Sequence, residues 1–478
     1  MFSLRNRFIK RLTDSLFLTL LISIIALTAG CSSDDGETIT VQAARPPDTY
    51  TIGGATWGLY GTVVLQNNGA DDLTVAYDWF YDFTTYNPDD TPYLVTVKTH
   101  PFSQSCYVTD GSGTFAGADV NIAVYCYDSG TLDTTFDSDG IAVHDGAAGG
   151  VGNDRGYAMT LDSSGRIVVA GYSYSGLDYD MALWRYNADG TLDTTFAGAG
   201  FTLHNDAAGG NDWDYGRAVA IDSSGRILVT GDSDRGTNGD MAIWRYNTDG
   251  TLDTTFAGAG FVTHHNAAGG AGGDQGNSIA IDSLGRIVVA GYSWRGVVGY
   301  YDMAIWRYNT DGTLDTTFNG NGIAVHNDAA GGNGNDYGNA ISFDSSDKIV
   351  VAGNSHSFSQ VMALWRYNTD GTLDTTFNSL GYATYDGGYG YALAFDPLDR
   401  IVVAGGNGDM KLWRCFSDGT LDTGFDTDGL VTDHGAAGGN GTDCGYGVAF
   451  DSLDRIFVAG YSLNVSGNND MVIWRYYH

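Results

Sequence analysis

The chain has 478 residues, 43% of them hydrophobic, with 30 Tyr, 21 Phe and 10 Trp. That much apolar and aromatic surface excludes a disordered chain, and the length holds one large domain plus a small one. Its 57 acidic against 23 basic side chains leave a net charge of −34, so the basic footprint that nucleic acid needs is missing and no nucleic-acid partner is expected.

Glu37 is the only glutamate; the rest of the negative charge is aspartate, a turn-forming residue that belongs in loops.

Residues 1–30 read as a targeting segment. Arg5, Arg7, Lys10 and Arg11 form a basic start, an apolar run follows over 16–27, and small residues lead to Cys31. So short an apolar stretch suits a cleaved signal peptide better than a membrane-spanning helix. The ending Leu27-Thr28-Ala29-Gly30-Cys31 resembles the bacterial lipoprotein signal. That resemblance implies lipid (palmitate among the acyl chains) on Cys31, a membrane partner through that lipid, and, from Ser32, the outer membrane on its periplasmic or outer side. Residues 31–48 read as a flexible tether.

Residues 49–127 carry short alternating runs at 61–66, 73–77 and 93–99, split by Asn-Asn-Gly, Asp-Asp and Pro turns, the pattern of a small β-sandwich. Cys106 and Cys126 fall inside it, and an exported domain this small gains about 2–4 kcal/mol from a disulfide. Tyr50-Thr51-Ile52-Gly53-Gly54, Leu65-Gln66-Asn67-Asn68-Gly69, Gln104-x-Cys106 and Val124-x-Cys126 resemble a module that follows the anchor of bacterial surface lipoproteins. The resemblance implies a spacer or adhesion-like role and no chemistry.

Residues 128–478 repeat. Gly-Thr-Leu-Asp-Thr-Thr-Phe begins at 130, 190, 250, 312 and 371, with a Gly variant at 419; Trp-Arg recurs at Trp184, Trp244, Trp306, Trp365, Trp413 and Trp474. The period is near 60, shortened to 48 in the fifth unit. Each unit holds four strand-length runs, the first two joined by a tight turn such as Asp162-Ser163-Ser164-Gly165. Four antiparallel strands at this period predict propeller blades, giving an all-β fold: a six-bladed β-propeller behind a small β-sandwich. The region opens with a lone fourth-type strand, 141–144, and ends on a third-type strand, 471–476. The phase therefore predicts that 141–144 completes the sixth blade beside 471–476 and closes the ring. The motifs Gly-x-x-Asp-x-x-Phe, Asp-x-x-Gly-Arg-Ile-Val-Val-Ala-Gly and Trp-Arg-Tyr resemble delta-60 repeats, bacterial propeller repeats related in pattern to NHL blades. The resemblance implies the fold and hardly any function.

Residues repeated in every unit serve the fold. The tryptophans are expected between blades, Arg185 and its equivalents against turn aspartates such as Asp162 or Asp193, and Asp162 and its equivalents as Asx-type hydrogen bonders. His144, His204, His264 and His326 end outer strands of separate blades, so they read as polar caps rather than ligands of one metal.

A single site needs residues that break the symmetry. These lie in the loops from strand two to three and from strand four to the next strand one, which share one face, the top: Tyr174, Tyr179, Trp213, Tyr215, Trp294, Arg295, Tyr300 and His356. Blade five shortens both of its top loops, which predicts a notch in the rim. Asp212, Asp214, Asp336 and Asp470 offer oxygen ligands for a structural calcium ion, while no cofactor is required. Cys415 and Cys444 are expected on opposite faces as free thiols.

The top face reads as the binding surface of a lipid-anchored cell-envelope protein or scaffold, with a protein or glycan partner. The alternative is a hydrolase or lyase acting on extracellular polysaccharide. Most propeller glycosidases pair two carboxylates, often including Glu, and this propeller has no Glu, so an enzyme is the lesser expectation.

Overall fold

The computed structural model describes residues 45–477 apart from 102–103, 129–134, 139–140, 210–211, 237, 297–298, 333, 358 and 452–453. The lipoprotein-like start, Cys31 and most of the tether lie outside the described residues. The chain divides into two compact units, 1–131 and 132–478. Among the described residues no helix is long and apolar enough to cross a membrane.

The first unit has two four-stranded sheets. One orders Phe80–Asp82, Ile52–Trp57, Val120–Asp128 and Gln104–Thr109; the other orders Asp71–Val75, Val63–Asn67, Pro92–Thr99 and Ser112–Thr114. Alternation puts Val63, Leu65 and Val95 of one sheet and Ile52, Ile122 and Val124 of the other into a single buried cluster. Cys106 and Cys126 stand opposite each other on antiparallel neighbours and form the disulfide.

The second unit is an array of sheets with the strands of each in chain order. Sheet one comprises Arg155–Leu161, Ile167–Tyr174, Tyr179–Tyr186 and Phe201–His204; sheets two, three and four begin at Asp214, Asp274 and Asp336 and keep this plan. Sheet five, Tyr389–Phe395, Ile401–Gly406, Met410–Cys415 and Leu430–Asp433, has three-residue loops at 386–388 and 407–409. The last sheet has only three strands: Gly438–Phe450, Ile456–Asn464 and Asn469–Tyr476. Residues 141–144 form no strand and do not pair with Asn469–Tyr476, contrary to the closure expected from the repeat phase.

First strands of consecutive sheets lie side by side and fourth strands stand apart, so the sheets fan outward from their first strands. Hydrophobic burial between neighbours holds the fan together. Val168, Ala170, Met181 and Leu183 of sheet one pack with Ile227, Val229, Ala242 and Trp244 of sheet two in one cluster, and the pattern recurs along the chain. The tryptophans are thus packing residues between sheets, as their repetition implies.

The repeated charges hold the links. Arg185 donates from Nε to Asp193 at 2.8 Å, lies over the Phe196 ring at 4.5 Å and donates to the Thr248 carbonyl of the next unit. Asp162 instead pairs with Arg166 and accepts the N–H groups of Ser164 and Arg166, an Asx turn.

The histidines are not polar caps. His204 sits 4.8 Å from the Phe261 ring and 6.0 Å from Trp244, both in the next sheet, and burial lowers its pKa to about 4. His326 packs on Tyr382 and Trp365 in the same way, with the same consequence. His204 and His326 are thus neutral rings in the seams between sheets.

Candidate functional site

Each first strand carries a β-bulge at the same place. In sheet two Gly216 opposes Gly231 and Ala218 opposes Thr230, so Arg217 is the extra, unpaired residue. The same shift makes the extra residue Tyr157, Asn277, Asn339, Tyr391 and Tyr446 in sheets one, three, four, five and six. The second strand approaches the bulge so closely that a Cβ on Gly231 would stand 1.8 Å from the Tyr215 carbonyl oxygen. Only glycine allows that approach.

The repeat therefore builds one identical backbone kink on every innermost strand and places a different side chain on each. A bulge re-aims its side chain, and here six of them occupy the inner edge of the fan at one level. They are linked to one another. Arg217 stands 5.7 Å from the Tyr157 ring centroid. Its Nε donates to Asp232 Oδ1 at 2.5 Å, and in the next sheet the Tyr292 hydroxyl donates to Gln275 Oε1 at 2.7 Å. Gln275 donates to Asn277 at 2.6 Å, and Asn277 donates to the Gly338 carbonyl at 2.9 Å. Asn339 donates to Asn354 Oδ1 at 3.2 Å and the Gly390 carbonyl at 3.0 Å, and the rings of Tyr391 and Tyr446 lie 4.8 Å apart. The result is a belt of aromatic rings, amides and one ion pair.

Of the residues expected at the top face, four join this belt from outside. Tyr215 lies 4.9 Å from Tyr172 and under Arg217; Tyr179 lies 4.8 Å from Tyr172, Tyr174 lies 5.3 Å from Tyr179, and Trp213, half exposed, lies 6.4 Å from Tyr215. A second group forms where Trp294 and Tyr292 each pack 4.9 and 4.8 Å from Tyr301, with Tyr337 against Tyr292. Arg295 stands 3.5 Å from Asp302, and Tyr300 only accepts the Arg295 N–H through its carbonyl. His356 stays at its strand end, its backbone N–H donating to the Asn335 carbonyl.

The expectation that symmetry breaking is confined to loops is thus corrected. Tyr157, Arg217, Asn277, Asn339, Tyr391 and Tyr446 lie within strands, and a sequence signal did mark them: the variable residue after the invariant glycine of each first strand. Burial raises the pKa of Tyr215, Tyr337 and Tyr446 to about 12, so these phenols are neutral donors rather than bases. Burial also raises Asp232, against the pull of Arg217; among the described residues this is the one carboxylate–guanidinium pair made by a bulge residue.

The calcium candidates take part in hydrogen bonds within the protein. Asp214 and Asp336 are buried and accept the backbone N–H groups of Asp206 and Asp328; Asp212 accepts the Trp213 N–H and Asp470 accepts from Asn464. Among the described residues no three His, Cys, Asp or Glu side chains are placed to hold one metal ion. Cys415 and Cys444 are buried and free.

The family described as "Domain of unknown function (DUF5122) beta-propeller" matches residues 163–196, 223–256, 285–318 and 345–377. Each match runs from the Asx turn through strands two and three to the phenylalanine of the link, so these are β-propeller repeats. No curated protein matches the chain significantly. Among solved structures it is similar to a protein of unknown function from Dyadobacter fermentans (10% identity, 67% of this chain and 93% of that one, TM-score 0.40). It is also similar to an α-L-arabinofuranosidase from Fusarium graminearum (10%, 70% and 96%, TM-score 0.38) and a gluconolactonase from Xanthomonas campestris (13%, 68% and 96%, TM-score 0.32). At these values no activity transfers.

Proposed function

We propose that this chain is a binding protein whose six-bladed propeller takes a neutral glycan on the belt of bulge residues. The observation that carries the reading is the belt: six equivalent backbone kinks, each with its own side chain. Tyr157, Tyr215, Tyr391 and Tyr446 offer ring faces for the C–H faces of sugars. Asn277, Asn339, Gln275 and the Arg217–Asp232 pair are hydrogen-bonding groups of the kind that recognise hydroxyls. A chain of net charge −34 repels polyanionic polysaccharides, which favours an uncharged ligand.

Catalysis is the weaker reading. Glycoside hydrolysis uses two carboxyl groups, and the belt carries one, already engaged by Arg217. A tyrosine serving as a lyase base must ionise near neutrality, and burial pushes Tyr215 and Tyr446 the other way.

The lipoprotein-like start would tether the propeller to the cell envelope through Cys31, with the first unit as a spacer. Labelling with a palmitate analogue, lost in Cys31→Ser, tests the tether. Calorimetry of the soluble chain against neutral and uronic-acid oligosaccharides tests the site. Binding confined to neutral sugars and abolished by Arg217→Ala supports the reading. Release of new reducing ends or unsaturated products would overturn it in favour of an enzyme.

A further inference from the structure

In the first unit, the sheet that carries the disulfide has an aromatic outer face, although the core beneath it is complete. One set of side chains along its strands turns inward: Ile52, Tyr81, Cys106, Ile122, Val124 and Cys126 join the buried cluster. The alternate set turns outward. It includes Trp57, Phe80, Tyr107 and Tyr127, which are 56%, 60%, 44% and 50% exposed, with Tyr125 half-buried among them.

The register sets three of these rings in a row. Tyr125 opposes Trp57 on one neighbouring strand and Tyr107 on the other, so the three stand at one level across three strands. The Tyr107 ring lies 5.6 Å from Tyr125 and 6.0 Å from Tyr127, with planes 26° and 10° apart. On the fourth strand Phe80 opposes Ala55 and packs edge to face on Trp79 at 6.1 Å. Beside the row the floor is low, because the next outward positions are Ala55 and Ala123. Cys106 precedes Tyr107, and Cys126 lies between Tyr125 and Tyr127, so the disulfide on the inner side fixes the register of the strands that carry three of the rings. Side chains ordered in advance lose little entropy on binding.

The other sheet of this unit has an ordinary solvated face. Its Gln66 and Lys98 both donate to Asp72, at 2.6 and 2.5 Å. The aromatic face is therefore a property of one sheet and not of the fold.

Composition selects the occupant. The four strands of the aromatic sheet hold no Lys, Arg or His, and Asp82 and Asp128 are their only charged residues. Anionic polymers and anionic lipid headgroups are recognised by cations, which these strands lack. A greasy partner would be met by aliphatic side chains as well, yet beyond Ala the outward apolar residues are all aromatic, with Ser105, Thr109 and Asn121 among them. Such a face suits a ligand that is apolar on its flat side and hydroxylated at its edge, which describes a pyranose with equatorial hydroxyls. Neighbouring strands are about 4.8 Å apart, close to the length that one pyranose adds to an extended chain, so successive sugars meet successive rings.

We infer that this face binds an extended, equatorially linked neutral polysaccharide, one sugar to each ring across Trp57, Tyr125 and Tyr107. The site is built from other residues than the belt of the second unit and does not rest on the reading of that belt.

Retention of the soluble chain on microcrystalline cellulose, a neutral extended polymer, tests this. The parent should be retained, Trp57→Ala should weaken retention by about tenfold, and Trp57→Ala with Tyr107→Ala should abolish it at an unchanged melting temperature. Tyr107→Phe keeps the ring and should be retained like the parent. A parent that ignores cellulose, a double variant retained as well as the parent, or loss of retention in Tyr107→Phe overturns the inference. Arg217→Ala should also be retained, so a failed belt leaves this face standing; loss of retention there would move cellulose to the belt and overturn the inference. Two further outcomes would do the same if the double variant abolished them: binding of the parent to phosphatidylcholine vesicles, which would assign the face to a lipid surface, and a dimer in sedimentation, which would assign it to a second copy.

Discussion

Arg217 and Asp232 face each other across neighbouring strands of sheet two, Nε to Oδ1 at 2.5 Å, on the inner edge of the fan. No other sheet has this pair at these positions: the equivalents of Arg217 are Tyr157, Asn277, Asn339, Tyr391 and Tyr446, and those of Asp232 include Tyr172, Tyr292, Asn354 and Tyr461. The repeat needs neither residue. Burial opposes the Arg217 charge, the Asp232 carboxylate outweighs it, and the guanidinium is held above its usual pKa.

Arg217→Ala should abolish sugar binding. It should also destabilise the chain by about 1–3 kcal/mol, because a part-buried carboxylate loses its partner. Asp232→Asn keeps a hydrogen-bond acceptor and removes the stranded charge, so Arg217→Ala with Asp232→Asn should recover most of the stability and none of the binding. Calorimetry and thermal melts of the three variants check this, and restored binding in the double variant would count against a role for the guanidinium.

The repeated arginines predict a different outcome. Arg307 bonds Asp315 at 2.8 Å, lies over Phe318 at 4.6 Å and reaches the Thr369 carbonyl of the next unit, with both charges buried. Arg307→Ala leaves the buried Asp315 with the Thr317 hydroxyl and N–H and only the more distant Arg286 guanidinium at 3.7 Å, so a loss of about 3 kcal/mol is expected. Arg307→Lys keeps the charge but not the planar fork, and should recover only part of the loss. Urea melts measure both, while sugar affinity in the folded fraction should stay unchanged.

Between these cases lies what could be read from the residues alone. Strand positions, the Asx turns and the tryptophan seams were legible because each recurs with the 60-residue period and each rests on local chemistry. The seam histidines were misread because their partners, Phe261 and Trp244 for His204, lie in the following unit. Nothing in the run Phe261-Val262-Thr263-His264 shows that its last residue will be covered. The belt was missed for a related reason. A bulge hides inside an alternating run, and Tyr215-Gly216-Arg217-Ala218 reads as ordinary strand until six such strands are placed side by side. The phase argument expected three strands from the last unit, and the last sheet has three; the departure is that residues 141–144 do not pair with it, because counting strands carries no information on whether the two ends of the fan meet.

Stability should rise as the solution is acidified from pH 8 to about 5. Burial raises Asp214 to about 7 and Asp180, Asp302 and Asp336 to about 6. Each binds its proton more tightly in the folded chain than in the unfolded one, where aspartate titrates near about 3.9. Their contribution is therefore complete below about pH 4 and lost as the pH rises through 6 to 7. The link aspartates have the opposite sign. Burial works against Asp193, Asp253 and Asp315, but the Thr hydroxyl and N–H two residues on, with the arginine, hold them below the usual range. Their contribution is present above about pH 4 and lost below it. A melting temperature that peaks near pH 4–5 is expected, with Asp214→Asn more stable than the parent at pH 8 and less sensitive to pH above 5. A peak at or above pH 7 would show that buried carboxyls do not govern the profile.

The bulge itself can be tested at Gly231. A Cβ there would meet the Tyr215 carbonyl oxygen at 1.8 Å and its carbon at 2.9 Å, both backbone atoms that cannot swing aside. Gly231→Ala must therefore push the first strand of sheet two away at the residue before the bulge. Since overpacking costs about 1–3 kcal/mol where side chains can adjust, a backbone clash should reach the upper part of that range. The shift carries Arg217 with it and separates it from Asp232, so sugar affinity should fall by tenfold or more, about 1.4 kcal/mol. Gly236→Ala, at an open turn with no atom near the added methyl, should leave affinity unchanged and cost only the strain of its φ of 92°. Equal affinity in the two variants would mean that the kink does not aim the ligand-binding side chain.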